Sequence, residues 1–304
     1  MQQRLPEWFK QPQSKYQATK QLSSLLKSEI PNTICQEAKC PNRSDCWSKG
    51  VLTFMVLGTV CTRTCAFCSV KHGKPLAPDR TEINSILNAI EKLNLRFVVM
   101  TSPNRDDLKD GGASHYAYLI ETIRQHHPEV KIEVLIPDFK GNVESLKVVI
   151  AAKPDVINHN METVSRLYST ARKGSLYKRS LQLLTTIKEF DDTILTKTGV
   201  MVGLGETVEE LTQTFEDINH TGVDIVTVGQ YLKPDKESLD IARYYHPDEF
   251  DHLKTVAESL GIPFVFSGPL VRSSFLAEHV FDKTLLVARR LNSAREKAYV
   301  TPGA

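Results

Sequence analysis

Short runs of β-branched and apolar residues alternate along the chain with longer stretches in which apolar residues recur at helical spacing. Seven runs predict strands: Val51–Leu57, Phe97–Thr101, Lys131–Ile136, Asp155–Asn158, Gly199–Gly203, Asp224–Val228 and Pro263–Ser267. Six stretches between them predict helices: Glu82–Leu93, Ala113–Gln125, Val143–Ala152, Ser175–Glu189, Val208–His220 and Pro247–Leu260. Strict alternation of this kind predicts a parallel sheet whose strands are connected by crossover helices.

Polar residues are concentrated where the predicted strands end. They include the stretches Thr101–Asp107, Pro137-Asp138, His159-Asn160, Gly205-Glu206 and Gln230-Tyr231. About six βα units precede the last strand, which fits either an open doubly wound sheet or a full or partial barrel, and periodicity alone does not choose between them. Both architectures bind ligands at this edge, so we expect the functional site there.

Length and charge exclude several classes of protein. At 304 residues the chain fits one α/β domain with terminal extensions, and its first twenty residues predict a mobile or surface-wrapping arm. The 38 basic and 36 acidic residues leave a formal charge of +2, which provides no basic patch for nucleic acid or an anionic membrane. The most apolar stretch, Val51 to Val60, is interrupted by polar residues and is far shorter than a bilayer span. We therefore expect a soluble protein with no nucleic-acid or membrane partner.

The cysteines carry the most specific chemical signal. All six lie between residues 35 and 68 and form two triads: Cys35, Cys40, Cys46 and Cys61, Cys65, Cys68. Three thiolates at the spacing of the second triad can hold a four-iron cubane cluster while one iron keeps no protein ligand. Clusters that only carry electrons normally have four cysteines, so this triad indicates an iron open to a non-protein ligand.

Disulfides and zinc are the alternatives to a cluster. Disulfides need an oxidising compartment, and the N-terminal sequence contains no secretory signal, so we expect reduced cysteines in the cytoplasm. Structural zinc sites usually contain paired cysteines and four ligands, a form that neither triad has. His72 is nevertheless close enough in sequence to Cys68 to be a fourth ligand.

The second triad resembles the signature of a known superfamily. The spacing Cys61-x3-Cys65-x2-Cys68, after a strand and with Phe67 before the last cysteine, is similar to the motif of the radical S-adenosylmethionine superfamily. There the open iron binds the amino and carboxylate groups of S-adenosylmethionine, and an electron from the cluster cleaves it to methionine and a 5′-deoxyadenosyl radical. The resemblance implies a partial parallel (β/α)6 TIM-like barrel.

The first triad resembles a motif of one family in that superfamily. CQEAKCPNRSDCW, which begins at Cys35, is similar to the auxiliary-cluster motif of the lipoyl synthases. Other segments agree: RDDLKDGGA at 105–113, INHNMETV at 157–164, KTGVMVGLGET at 197–207, VGQYLKPD at 228–235, YYHPDEF at 244–250 and GPLVRSS at 268–274. The resemblance implies an extension with the auxiliary motif over residues 1–50, a partial barrel over 51–235, and a C-terminal strand and helix extension over 236–304.

The activity implied by this resemblance is insertion of sulfur into an unactivated chain. Two sulfur atoms enter at carbons 6 and 8 of an octanoyl group that is amide-linked to a lysine of a lipoyl carrier protein. Each insertion consumes one S-adenosylmethionine, and an auxiliary [4Fe-4S] cluster donates the sulfur. The implied partners are the glycine-cleavage H protein or a 2-oxoacid dehydrogenase acyltransferase domain as carrier, and flavodoxin or ferredoxin as reductant.

The resemblance also implies roles for individual residues. Cys61, Cys65 and Cys68 would hold the catalytic cluster, and Cys35, Cys40, Cys46 and Ser274 the auxiliary one. Asn160, Glu162 and Arg172 are placed to reach S-adenosylmethionine, and Met201, Gly203 and Glu206 belong to a strand motif that lies along its adenine. For Asn160, Glu162 and Arg172, as for Arg105 and Asp106, a solvated side chain or helix cap is an equal alternative, and His159 fits a core histidine. Phe275 replaces a tyrosine that is common in the family.

Two other functions compete with this one. An enzyme that resembles biotin synthase shares the second triad but lacks the CQEAKCPNRSDCW and RSS motifs. A non-enzymatic iron–sulfur carrier or a zinc-binding structural protein needs neither the barrel nor the strand from Gly199 to Glu206. Formation of 5′-deoxyadenosine would distinguish these classes.

Overall fold

The computed structural model describes residues 4–10, 32–40, 42–48, 51–274, 277–282 and 284. Its centre is a seven-stranded sheet in which the strands follow one another in sequence order and every neighbouring pair is parallel. The strands are β1 (Thr53–Met55), β2 (Phe97–Thr101), β3 (Lys131–Leu135), β4 (Val156–Asn158), β5 (Leu195–Val202), β6 (Ile225–Gln230) and β7 (Phe264–Gly268). The sheet is open between its two end strands, so the predicted partial barrel is confirmed.

The helices alternate with the strands as the periodicity predicts. They are α1 (Ile34–Glu37), α2 (Arg43–Ser48), α3 (Glu82–Leu93), α4 (Ala113–His126), α5 (Val143–Ala151), α6 (Tyr168–Ala171), α7 (Tyr177–Phe190), α8 (Val208–Asn219) and α9 (Pro247–Ser259). Short 3₁₀ turns cover Glu7–Phe9, Phe139–Gly141 and Ser165–Leu167. The six predicted helices are confirmed with ends that differ by at most two residues. In the described chain, none of the helices combines the length and the apolarity that a membrane span requires.

Strand β5 begins four residues before the predicted start at Gly199. The polar stretch before Gly199 resembles a loop in sequence, yet Lys197 is completely buried and its ammonium group donates to both carboxylate oxygens of Glu133, each at 3.1 Å. Asn158 donates to the same carboxylate at 3.0 Å. A buried charge needs a paired and hydrogen-bonded partner, and strands β3 and β4 supply these groups here.

Strand β1 is shorter than predicted and ends at Met55. Leu57 has a φ of +64°, which takes the chain out of the extended conformation. Its amide donates to the carboxylate of Glu82, and its carbonyl accepts from Arg105 at 2.9 Å. These bonds start the cysteine-bearing loop immediately beyond the strand.

The core has an outer and an inner part. Helix-facing strand residues such as Ile132 and Val134 pack with α3, α4 and α5 in one large apolar cluster. On the inner face, Phe97 and Val156 pack with Ala277 and Phe281 at the amino ends of the strands. Helical residues 277–282 therefore close that end of the barrel, and the carboxyl end carries the cavity.

Both terminal regions pack on the barrel where they are described. Thr33 bridges to Phe54 of β1, and the ring of Phe9 lies 5.6 Å from that of Tyr244. The predicted surface-wrapping arm therefore packs on the barrel at residues 4–10. Its remainder, Phe275 and the basic segment after residue 284 lie outside the described residues.

Candidate active site

The loop that carries the second cysteine triad is shaped by backbone hydrogen bonds. Cys61 donates its amide to the carbonyl of Lys71 at 2.7 Å and accepts from Gly73 at 2.9 Å, so the loop returns past its own start. The amides of Arg63 and Asn104 point at the Cys61 sulfur, at 3.4 and 3.3 Å. Amide donors to a thiolate are typical of iron–sulfur ligands, because they stabilise the anionic sulfur.

The first triad approaches the same space from the N-terminal side. Cys35 and Cys40 line one cavity of about 1410 Å³ together with Cys61, Cys65 and Cys68. Cys46 is buried in the core beneath them and is not among the cavity-lining residues. No disulfide links any of the six cysteines, all of which lie in described segments.

The C-terminal Arg-Ser-Ser segment reaches this cavity as well. The Asn42 side chain, within the first motif, donates to the carbonyl of Leu270, which ties residues 268–274 to the N-terminal triad. Ser273 and Ser274 then line the cavity. Ser273 accepts a hydrogen bond from Asn160 at 3.2 Å. Ser274 is thus in the same cavity as Cys35 and Cys40, a closeness that residue spacing alone could not predict.

The cysteines fit clusters by their donor type, and five of the six line the shared cavity. Burial raises the pKa of the Cys65 thiol to about 11, against a smaller opposite effect of Arg172, so a bound metal must displace its proton. Among the described residues, no three His, Cys, Asp or Glu side chains converge as ligands of one metal ion do. The thiolates around a cubane bind different irons.

Four of the six residues expected at S-adenosylmethionine line the cavity: Asn160, Glu162, Arg172 and Met201. Glu162 has a φ of +68° and is fixed by two backbone bonds to β5, to Gly199 and from Met201. Non-glycine residues in this conformation are concentrated at functional sites. Burial raises the pKa of the Glu162 carboxyl, although Arg172, Asn160 and Arg272 oppose the shift.

Asn160 lines the cavity and contains an unsatisfied acceptor. Its amide nitrogen donates to Glu162 at 3.1 Å and to Ser273, whereas its buried Oδ1 has no hydrogen-bond partner. A Cβ on Gly199 would lie 3.0 Å from this oxygen, so the glycine gives it space. Asn104 has an unsatisfied Oδ1 in the same cavity. Buried unpaired acceptors are rare, and these two fit the amino and hydroxyl donors of S-adenosylmethionine.

Gly203 and Glu206 are not among the cavity-lining residues. The Glu206 carboxylate accepts from the amides of Gly203 at 2.6 Å and Leu204 at 2.9 Å, and from the Tyr245 hydroxyl at 2.9 Å. A Cβ on Gly203 would lie 2.0 Å from the Gln230 side chain. Both residues shape the turn after β5, and direct contact with adenine stays a prediction for them.

Arg172 lies in a buried hydrogen-bond network that also includes His159. The guanidinium donates to the carbonyl of Asn160 at 2.7 Å and to Ser180 at 3.1 Å. His159 donates from Nδ1 to the carbonyl of Ile136, so its Nε2 accepts from Ser180. Burial, and then the charge of Arg172, lower the pKa of His159 to about 3. The prediction of a core histidine is confirmed.

Several site residues were missed by sequence reasoning. Arg63 is buried between carboxylates from two loops, Asp106 and Asp138, and Arg272 is a half-buried cation that lines the cavity. Arg63 stands inside the cysteine motif and Arg272 inside the Arg-Ser-Ser motif, which is the only signal that the sequence contained. Arg105, by contrast, binds Asp107 and the carbonyls of Leu57 and Leu76, so its role is to anchor loops.

Comparison with known proteins agrees with this geometry. Residues 55–218 match the model of the radical SAM superfamily. A lipoyl synthase of Caldicellulosiruptor saccharolyticus is 48% identical over 91% of this chain and 98% of its own length. One of Desulfotalea psychrophila is 46% identical over 93% and 95%. The chain belongs to the lipoyl synthase family of the radical SAM superfamily.

Among solved structures, methylornithine synthase (PylB) is similar in fold, with a TM-score of 0.52 and 13% identity over 82% of this chain and 81% of that one. This likeness extends to the fold alone. Family membership implies S-adenosylmethionine and a [4Fe-4S] cluster as cofactors, and the cysteine triad at the carboxyl end of the barrel fits that chemistry.

Proposed function

We propose that this lipoyl synthase family enzyme inserts two sulfur atoms, at C6 and C8, into an octanoyl group on a lysine of a lipoyl carrier protein, with an auxiliary [4Fe-4S] cluster as the sulfur donor. The supporting observation is one cavity that is lined by cysteines of both triads, by Ser274 and by Asn160, whose amide oxygen is unsatisfied. Sulfur transfer needs the sulfur, the radical source and the carbon chain in one water-poor space.

The residues divide into two groups around this cavity. Cys61, Cys65 and Cys68 would hold the cluster that, when bound, supplies the electron for cleavage of S-adenosylmethionine. Cys35, Cys40, Cys46 and Ser274 would hold the auxiliary cluster. An oxygen ligand is harder and more easily displaced than a thiolate, so Ser274 would ease the opening of that cluster.

The cosubstrate is bound by buried polar groups. Asn160, with its free Oδ1, and Glu162, as the nearby acid, are suited to the amino and ribose groups of S-adenosylmethionine. Arg172 supplies a charge-assisted partner for its carboxylate. Because the hydrogen bonds of Arg172 to Asn160 and Ser180 already fix the guanidinium, binding costs little further ordering.

The octanoyl chain and its carrier fit the rest of the cavity. Apolar side chains line it beside the polar groups: Ile34, Met55, Leu135, Ile136 and Ile241. Cations stand among the lining residues, including Arg4, Lys39 and Lys236, and they suit a carrier with acidic side chains around its modified lysine. Flavodoxin or ferredoxin would supply electrons. Cysteines that serve as thiolate ligands suit a reducing compartment such as the cytoplasm.

The decisive experiment reconstitutes the protein anaerobically and incubates it with S-adenosylmethionine, reductant and an octanoylated carrier. We expect about eight irons per chain from two four-iron clusters, and formation of 5′-deoxyadenosine. Mass spectrometry should show two sulfur atoms added to the octanoyl group on the carrier lysine. Carrier without the octanoyl group is the control. Stoichiometric zinc without sulfide, or 5′-deoxyadenosine without any sulfur on the lysine, would contradict the proposal.

A further inference from the structure

Arg63 stands between the first two cysteines of the second triad, and its side chain is 4% exposed. Its Nε and Nη2 form a two-pronged contact with Asp106, at 2.7 and 2.9 Å. Nη2 also donates to Asp138 at 2.6 Å, and Nη1 donates to Ser175 at 3.0 Å. One guanidinium thus joins the cysteine loop to three other segments of the barrel.

The two carboxylates follow different strands, β2 and β3. Asp106 lies in the segment after β2, and its amide donates to the hydroxyl of Thr62, a residue of the cysteine loop, at 3.0 Å. Asp138 follows β3, and its side chain is completely buried. It accepts from the Lys140 amide and from Arg179, both at 3.1 Å. Both carboxylates therefore belong to segments that follow neighbouring strands and lie outside the Cys61–Cys68 loop.

The turn that presents Asp138 is strained. Phe139 and Lys140 have φ values of +44° and +53°, a left-handed conformation that side chains disfavour. Such strain persists where the surroundings over-determine it, and it is concentrated at functional sites. Burial pushes the pKa of the Asp138 carboxyl upward, but the hydrogen bonds and charge of Arg63 outweigh it and hold that pKa well below its usual range.

The cysteine loop itself has little regular structure to hold it. Between the end of β1 and Gly73, the described backbone forms only turns, a bridge at Cys61 and isolated contacts such as Ala66 to Ala171. Three sulfurs must nevertheless share one cluster with fixed geometry. A planar guanidinium that donates to two carboxylates gives more orientation than any single neutral bond.

We propose that Arg63 is a positioning residue that holds the Cys61–Cys68 loop against the ends of β2 and β3, so that the three thiolates and the open iron face S-adenosylmethionine correctly. The inference rests on the proposed function, because it assumes a cluster on this triad. Arg63 acts through the loop, and Asp106 and Asp138 act through Arg63.

The test compares Arg63→Lys and Asp138→Asn with Arg179→Met. Lysine keeps the charge but loses the planar fork, and asparagine keeps the shape but loses the charge. Arg179→Met removes the other cation on Asp138 without touching the loop, so it is the matched control. Each full-length variant is reconstituted and compared in thermal unfolding, in iron loss to a chelator, and in the change of the electron paramagnetic resonance signal when S-adenosylmethionine is added.

We expect Arg63→Lys and Asp138→Asn to lose iron about tenfold faster than the native protein. Both variants should also need about tenfold more S-adenosylmethionine for the spectral change, because small misplacements of reacting groups have large effects. In Arg179→Met, the rate of iron loss and the S-adenosylmethionine concentration needed for the spectral change should stay within about twofold of the native values. If Arg63→Lys fails to fold, Ser175→Ala, which removes one neutral bond, should give the same changes at smaller size.

Native iron-loss rates and spectra in Arg63→Lys and Asp138→Asn would overturn the inference, as would equal effects in Arg179→Met. If Ser175→Ala must be used, native behaviour in that variant would overturn it as well. A native protein that binds no cluster would instead contradict the proposed function. The two failures are therefore distinguishable.

Discussion

His159 and Glu162 lie three positions apart, and burial lowers the pKa of the first and raises the pKa of the second, so in each case it acts in favour of the neutral form. They differ in what surrounds them. His159 has both ring nitrogens in hydrogen bonds with protein groups, whereas Glu162 lines the cavity. The same local sequence therefore contributes one residue to stability and one to the site.

His159 makes stability depend on pH in a known direction. Its pKa falls from 6.5 to about 3 on folding, so the unfolded chain binds the extra proton between these values and stability is lost as the pH decreases. In urea unfolding of the iron-free protein, the unfolding free energy should fall with a contribution approaching 1.4 kcal/mol per pH unit, about one proton, below pH 6.5. His159→Asn should lack this contribution. Equal slopes in both proteins would contradict the assignment.

Ser274 and Ser273 are adjacent and line the same cavity but should differ in role. Ser274→Ala should still assemble the auxiliary cluster, because three thiolates carry most of its affinity, but its sulfur transfer should change. Ser274→Cys should replace a labile ligand with a tighter one, and so suppress lipoyl formation while 5′-deoxyadenosine persists.

Ser273→Ala is the matched control for this pair. It removes only the acceptor for Asn160, so it should mainly weaken S-adenosylmethionine binding. Full lipoyl formation by Ser274→Ala would refute the ligand assignment.

At the scale of elements, the two cysteine segments reach the cavity from different parts of the chain. One follows β1 and is held by bonds to strand ends, and the other is part of an N-terminal segment that bridges to β1. Cys40 and Cys65 are both half-buried, so truncating either removes a ligand without opening a hole in the core, as truncating Cys46 would.

The similar exposure of Cys40 and Cys65 allows the separate roles of the two triads to be tested. Cys65→Ala should abolish formation of 5′-deoxyadenosine, because that triad supplies the electron and the open iron. Cys40→Ala should retain some 5′-deoxyadenosine but insert no sulfur into the octanoyl chain. Both products are measured by mass spectrometry after equal thermal unfolding has been verified. Identical behaviour of the two variants would show that the triads do not have separate roles.

At the scale of the whole molecule, the barrel has one closed end and one functional end. Phe281 closes the amino end, where its ring lies 5.3 Å from that of Phe97, and the cavity lies at the opposite end. The residues that stabilise the closed end and the residues of the candidate site therefore lie at opposite ends of the barrel.

Phe281→Ala should lower the unfolding free energy by about 3–5 kcal/mol, because it leaves a cavity in a packed cluster. Its KM for S-adenosylmethionine should stay near the native value. Phe190→Ala, at a side chain that is half exposed, should change stability by less than about 0.5 kcal/mol and is the control. Denaturant unfolding and steady-state kinetics measure both effects. A small loss in Phe281→Ala would contradict closure by this helix.

The sequence predicted the elements well because the alternation of apolar periods is local. It missed the first half of β5, since Lys197 is polar and its partner Glu133 is more than sixty residues away. It identified the cysteines because a cluster requires particular residue types at short spacing. It did not identify Arg63 or Arg272, because an arginine inside a motif is indistinguishable from a surface arginine until its carboxylates or its burial are known.

The sequence by itself determined the alternation of strands and helices, the family, and the two triads, because these depend only on residue types and on spacings of a few positions. Only the tertiary structure decided that Cys35, Cys40 and Ser274 share a cavity with Cys61, that Glu206 shapes a turn, and that His159 stays neutral. Each of these depends on burial and on partners distant in sequence. Burial and these distant partners are fixed only when the strands assemble and the chain ends pack against them.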